Sequence, residues 1–418
     1  MAVQMSPLTE KPAHIGDQLV YDFDLFADPG ILTAPHDRML EIVAETPPVF
    51  WTPRNGGFWV MRGHAALFDA ARDTETFSND FVTPELAEKV FAALPPDIGH
   101  IPSAVPINMD PPMHRVYRMP IQGVFSPKHI NTLKDSIRDL AAQLIDEIVG
   151  QGECEFMHAV AEPLPVIVFL RMLGLPVERL AEYRELVRAH LADAGGGDPV
   201  ASIVKAQHIV ESMTPTILER KDNPQDDILS MLWGIEIDGQ PVTLQDIQNY
   251  GLLLFIAGLD TVMNGIGHGV RFLAAHQDVQ AELRANPEKI SDATEELLRR
   301  FTFTVPVRRC TRDVEFYGAH IKANERVMML LPAADLDPQE FKNPEKFDMA
   351  REERVHIAFN AGPHRCLGSH LARVELNILY EELLKRLPAF SIPEDKPPVF
   401  HGGHVLGVDT LHLKWSVN

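Results

Sequence analysis

Apolar residues recur with a period near 3.6 over about 131–150, 158–173, 198–220, 243–275, 289–300 and 369–387, which predicts a mostly helical protein. Strand-like runs are short and gather toward the two ends of the chain. Val49–Trp51 and Phe58–Met61 flank Asn55-Gly56-Gly57, a turn signal that predicts a hairpin. Val305–Cys310, Val314–Phe316, Arg326–Leu331 and the alternating Thr410–Val417 are the other candidates. Many of the 33 prolines stand between helical segments, where fixed φ and the missing N–H end a helix. Phe81–Asn108 therefore reads as a long loop holding one short helix, Pro84–Leu94, and loops of that length are often lids. No repeat or linker divides the chain, so a single large domain is expected.

Composition narrows the function classes. Lys and Arg total 38 against 59 Asp and Glu, a net charge of −21 that opposes broad attraction to nucleic acid or anionic lipid. The three cysteines, Cys154, Cys310 and Cys366, form no CxxC pair, which argues against a disulfide framework or structural zinc and fits a reducing, cytoplasmic setting. Met1–Asp17 lacks the basic-then-apolar order of a secretory signal. Leu164–Val177 is interrupted by Arg171 and Leu252–Leu259 ends at Asp260, both short of the ~18 uninterrupted apolar residues of a membrane span, so no membrane crossing is expected.

Three places carry candidate chemistry. Gln245–His276 reads as one helix, apolar on every side between Tyr250 and Val262, hence central and buried. Asp260 and Thr261 lie inside it, just after the helix-weakening Gly258. A satisfied acid at a local bend and a functional pair are about equally supported by spacing alone. Glu296 and Arg299 are i,i+3 neighbours, by themselves an ordinary surface pair. The run Phe359-Asn360-Ala361-Gly362-Pro363-His364-Arg365-Cys366-Leu367-Gly368 places a lone cysteine between glycines, just before a helix N-terminus that favours thiolate. An isolated cysteine is usually inert. Here Phe359 offers an aromatic wall, His364 and Arg365 offer donors, and Gly362 and Gly368 allow close approach.

Taken together, the Phe-x-x-Gly-x-His-x-Cys-x-Gly run at 359–368, Ala257-Gly258-Leu259-Asp260-Thr261 and Glu296-x-x-Arg299 resemble the motifs of the cytochrome P450 family, haem-thiolate monooxygenases. Leu252–Asn264, Glu295–Phe301 and Asn108-Met109-Asp110-Pro111-Pro112 are similar to the bacterial camphor hydroxylase group. The resemblance implies the mainly α P450 fold over 1–418, with a β-rich part at about 20–75 and 302–335 plus the C-terminal strands, and a helical part at about 110–300 and 350–390. It implies one haem b, with Cys366 as axial ligand and amides around Leu367 and Gly368 tuning the sulfur. Phe359 and Gly368 would flank the haem, and His114, Arg118, Arg308 and His364 would hold its propionates. Asn360 stands where the family usually has glycine.

By the same resemblance, Asp260 and Thr261 would guide protons for oxygen activation, and Arg351 would join Glu296 and Arg299 in a buried structural network. Leu253, Ile256, Thr304, His404 and Val405 would line a pocket for a small apolar substrate, terpenoid or norisoprenoid in kind. The camphor enzyme's hydrogen-bonding tyrosine falls near Pro102, which cannot donate, so camphor itself is not the expected substrate. His404 could orient a substrate oxygen or satisfy a backbone group, the second being favoured. O2 is a co-substrate. With no dinucleotide fingerprint or iron–sulfur cysteine set, electrons would come from a [2Fe-2S] ferredoxin and its NAD(P)H-dependent reductase, docked at Arg115, Arg118 and Arg365. A haem-binding sensor or carrier without turnover is the alternative, and the Asp260-Thr261 pair speaks against it. A cofactor-free helical scaffold is a further alternative that an absorption spectrum would separate.

Overall fold

The structure, a computed structural model, describes residues 4–94, 100–191 and 199–417. Its central element is the helix Leu244–Ala275, started by a capping box in which the Thr243 hydroxyl accepts from the Asp246 amide and the Asp246 carboxylate accepts from the Thr243 amide. Because apolar residues occupy most of its faces, it packs against several partners at once: Pro163–Leu173, Pro199–Asp222, Ile290–Arg300 and Ser369–Arg386. The main hydrophobic core joins these helices with Lys134–Val149. This 32-residue helix holds an 18-residue window of mean hydropathy 1.4, enough by length and composition to cross a membrane, but 56% of that window is buried inside the protein, as in a core helix.

All the helices predicted from periodicity are present, with ends shifted by a few residues. Helices not predicted include Pro29–Thr33, Pro35–Glu45, His64–Arg72, Met113–Gln122, Leu180–Leu191 and Gln277–Ala285. They are short or strongly polar: in Met113–Gln122 only His114 and Ile121 are buried, too sparse a stripe to read.

The larger sheet has the order Val49–Thr52, Phe58–Met61, Arg326–Met329, Val307–Cys310, Phe77–Ser78. The predicted hairpin pairs Trp51 with Trp59, and Arg326–Met329 runs parallel to its second strand. The expected strand through Leu331 stops at Met329 because Pro332 opens the helix Leu331–Ala334. Residues 20–75, expected to be β-rich, also carry the three helices Pro29–Thr33, Pro35–Glu45 and His64–Arg72. The alternating C-terminus is two strands, Gly407–Thr410 paired with Val399–His401, and His412–Trp415 between Phe390–Ser391 and Glu153–Glu155. The loop at 81–108 contains Pro84–Ala93; its residues 95–99 lie outside the described ones.

Candidate active site

The cysteine loop is shaped by local conformation. Asn360 and Gly362 both adopt positive φ, 58° and 66°. Asparagine is among the few non-glycine residues that tolerate this region, so Asn360 keeps the turn that glycine gives elsewhere, and its side chain accepts from the Ala361 amide at 2.8 Å. The Cys366 amide donates to the Phe359 carbonyl at 2.8 Å and closes the loop. Cys366 is exposed although Ser369 and Leu371, which open the following helix, are buried. A Cβ built on Gly368 would meet only the Cys366 sulfur, at 4.0 Å, so open space lies beside both. Cys366 lies deep in the protein although its side toward Gly368 is open, and that depth raises its thiol pKa, while the Gly368 amide and the charges of Arg118, Arg365 and Arg373 lower it. Arg373 also lies 4.5 Å over the Phe359 ring and is paired with Glu295.

The central helix is not buried on every side, as its composition suggested. Ala257 is exposed, and Leu253, Ile256, Asp260 and Thr261 are partly accessible, between the buried Leu252, Leu254, Phe255 and Leu259. Gly258 serves packing more than flexibility: a Cβ there would lie 2.5 Å from the Phe169 ring. Thr261 donates its hydroxyl to the Ala257 carbonyl at 2.9 Å. The Asp260 carboxylate makes no direct hydrogen bond among the described residues. Burial raises its pKa; His401 opposes the rise, and Glu162 and Asp409 add to it.

A third group gathers donors that lack acceptors. The rings of His114 and His364 lie 4.1 Å apart, and Nε2 of each is buried without a partner. Arg308 is buried and donates only to the neighbouring Val307 carbonyl, and Arg118 donates to the Arg365 carbonyl at 2.6 Å. Burial first, then the charge of Arg118, holds His114 down at about 4; burial first, then the charges of His114, Arg308 and Arg118, holds His364 at about 2. Burial also holds Arg308 at about 10. The nearby acid, Asp110, is engaged by Ser78 and Asn79. Such a cluster needs negative charge from outside the chain, and a flat dicarboxylate beside an open thiol suits it in charge and in shape.

Residues 201–417 match the family model "Cytochrome P450". Over 97% of this chain and 97% of its own length, "Probable cytochrome P450 127A1" of Sinorhizobium fredii (strain NBRC 101917 / NGR234) is 33% identical. The chain belongs to the cytochrome P450 family. Linalool 8-monooxygenase of Pseudomonas putida is 29% identical over 91% of this chain and 95% of its own. The crystal structure of CYP101J2 superposes with a TM-score of 0.86 at 32% identity, covering 98% of this chain and 100% of that one. This P450 is thus a haem b-dependent monooxygenase of the mainly α P450 fold, an oxidoreductase that needs O2 and a redox partner.

The remaining expected residues fall as follows. Glu296, Arg299 and Arg351 meet in the interior, at 5%, 1% and 6% exposure, not as a surface pair. An isolated antiparallel bridge sets Thr304 against Val405, both partly accessible. His404 Nδ1 lies 3.2 Å from the Val305 carbonyl, the backbone tie favoured for it, with its ring edge-on to Phe26. Arg115 and Arg365 are exposed. Pro102 is buried in a loop whose attachment the sequence did not reveal: the Asn249 side chain accepts from the Ser103 amide at 3.0 Å and pairs with His100 Nε2 at 2.9 Å. The Arg373–Glu295 pair and the His401–Asp409 pair were likewise missed, since each joins residues distant in sequence or on separate strands.

Proposed function

We propose that this P450 hydroxylates a small apolar terpenoid or norisoprenoid, of about ten to thirteen carbons, in the cytoplasm. Its electrons come from a [2Fe-2S] ferredoxin reduced by an NAD(P)H-dependent reductase. The observation that carries the reading is the exposed Cys366 sulfur beside a cluster of cationic and donor side chains with unmet hydrogen bonds. Cys366 would bind the haem iron as thiolate, and His114, Arg118, Arg308 and His364 would hold the propionates, with Phe359 and Gly368 leaving room for the ring. When bound, haem supplies the redox chemistry that splits O2 and places one oxygen atom in a C–H bond.

The chain's own residues do the rest. Burial favours the protonated form of Asp260, so that carboxyl can hold a proton and release it to Thr261, whose hydroxyl can accept and donate in turn. Leu253, Ile256 and Val405 exclude water and hold an apolar ligand, and Thr304 and His404 add few polar groups, which supports a compact hydrocarbon skeleton. The named activity of the linalool relative favours the same substrate class. Glu296, Arg299 and Arg351 fix the segment before the cysteine loop. Exposed Arg115 and Arg365, with Arg118 behind them, offer positive charge to an acidic ferredoxin on an otherwise acidic protein.

The test is spectral titration and product analysis with camphor, cineole, linalool and ionones, using a reconstituted ferredoxin and reductase. A high-spin shift and a hydroxylated product with cineole, linalool or an ionone are expected. A response to camphor alone refutes the substrate class, and a ferrous carbonyl adduct without the red-shifted Soret band of thiolate ligation refutes the role of Cys366.

A further inference from the structure

The structure assigns a second layer to the proton supply. We propose that His401, held by Asp409, is a positioning residue that feeds protons from solvent to Asp260; the proposal rests on the role given to Asp260 above. Strands Val399–His401 and Gly407–Thr410 form a hairpin in which His401 stands opposite Gly407. A Cβ on Gly407 would lie 2.0 Å from His401 Cε1, so only glycine lets the imidazole lie across the partner strand. There His401 Nδ1 pairs with Asp409 Oδ1 at 2.7 Å. Their side chains are 42% and 47% exposed, so the pair exchanges protons with bulk water.

The hairpin is fixed to the turn that carries Asp260. Asn264, four residues on, donates from Nδ2 to the Asp260 carbonyl and accepts at Oδ1 from the Val408 amide, both at 2.9 Å. One side chain therefore locks the spacing between the hairpin and the acid. Two further groups share the field of the pair and the acid. Glu162, which follows a π-helical turn at Met157–Ala161, is paired with Arg184. His268, further along the central helix, is a buried base that feels the charge of His401. Burial lowers the His401 pKa, but Asp409 and then Asp260 outweigh it, leaving His401 above its ordinary value. The step moves one proton through intervening water: imidazolium gives up a proton and the Asp260 carboxylate gains one, leaving a neutral imidazole and a carboxylic acid, and solvent reprotonates the imidazole. No electrons move.

The test compares His401→Gln, Asp409→Asn and Asp260→Asn in haem-loaded enzyme with ferredoxin, reductase and the best-turned-over terpenoid of the panel, from about pH 6 to about pH 9. In the wild type kcat falls along an alkaline limb as His401 loses its proton. Asp409→Asn moves that limb to lower pH, because the carboxylate that holds the proton is gone. His401→Gln abolishes the limb, lowers kcat about tenfold with KM unchanged, and raises the solvent deuterium isotope effect. A limb at the same pH in wild type, His401→Gln and Asp409→Asn overturns the proposal. A silent Asp260→Asn overturns the role of Asp260 as well, so the two failures are distinguishable.

Discussion

Replacing Glu296 by Gln changes almost no volume but removes the one negative charge between two buried guanidinium groups. In the native network Glu296 Oε1 accepts from Arg299 Nη2 at 2.8 Å, Arg351 Nε at 3.1 Å and the Asp348 amide at 3.1 Å. Oε2 accepts from Arg299 Nε at 2.8 Å. The amide of Gln would turn an NH2 toward these donors, so at least one guanidinium keeps a donor facing a donor. Uncompensated buried charge of this kind costs about 3–5 kcal/mol, a large part of the ~5–15 kcal/mol that stabilises a typical native domain. An all-apolar replacement of the three side chains would not restore stability here. Arg299 also serves the Asp335 and Pro344 carbonyls, and Arg351 the Lys342 and Lys346 carbonyls, each costing about 1–3 kcal/mol if left unpaired. Urea unfolding of the haem-bound enzyme, followed by circular dichroism and by the Soret band, reads the loss. It should be insensitive to added salt, because a buried pair is poorly screened. A loss under about 1 kcal/mol at unchanged m-value would refute the account.

Other predictions follow from single groups. Burial alone lifts Glu375 from its ordinary 4.5 to about 8. The folded state holds this proton more tightly, so the stabilising contribution is full below about pH 4.5 and is lost by ~1.4 kcal/mol per unit as pH rises to about 8. Glu375→Gln should flatten that slope in a pH series of thermal melts, and an unchanged slope would count against it. Asn360→Gly should leave Tm nearly unchanged, whereas Asn360→Val should cost about 1–2 kcal/mol and loosen haem, because a β-branched residue is strained at a φ of 58°. Arg308→Leu should act with opposite signs on two readouts. The haem-free protein gains about 1–2 kcal/mol from losing an unpaired buried charge, while haem dissociates faster from the holoenzyme. Loss of both, or of neither, would argue against a propionate role for Arg308.

Much of the fold was legible where one residue class dominated a whole face. The central helix and Ser369–Arg386 announced themselves because many of their positions are apolar, and Asn55-Gly56-Gly57 marked its hairpin through left-handed φ at all three residues. Met113–Gln122 stayed hidden because His114, Arg115 and Arg118 interrupt the apolar stripe that periodicity detects. Pro35–Glu45 and His64–Arg72 were lost inside a stretch read as β-rich, since the sheet strands on either side carry the stronger apolar signal.

The site divides along the same line. Residues whose chemistry depends on near neighbours in the chain, such as Cys366 with Gly368 or Asp260 with Thr261, can be read from a short window. Residues whose chemistry depends on company from elsewhere cannot: Asp409 is unremarkable until Gly407 lets His401 lie across the strand, and Asn264 becomes informative only once Val408 arrives at its carbonyl oxygen. The exposure of Ala257 belongs to this second kind. An all-apolar helix predicts burial, and only the packed fold shows that one stripe of it stays accessible. The stripe and the loop tied down by Asn249 are both assembled from distant segments, so the family of a P450 is legible from its motifs while the identity of its substrate is not.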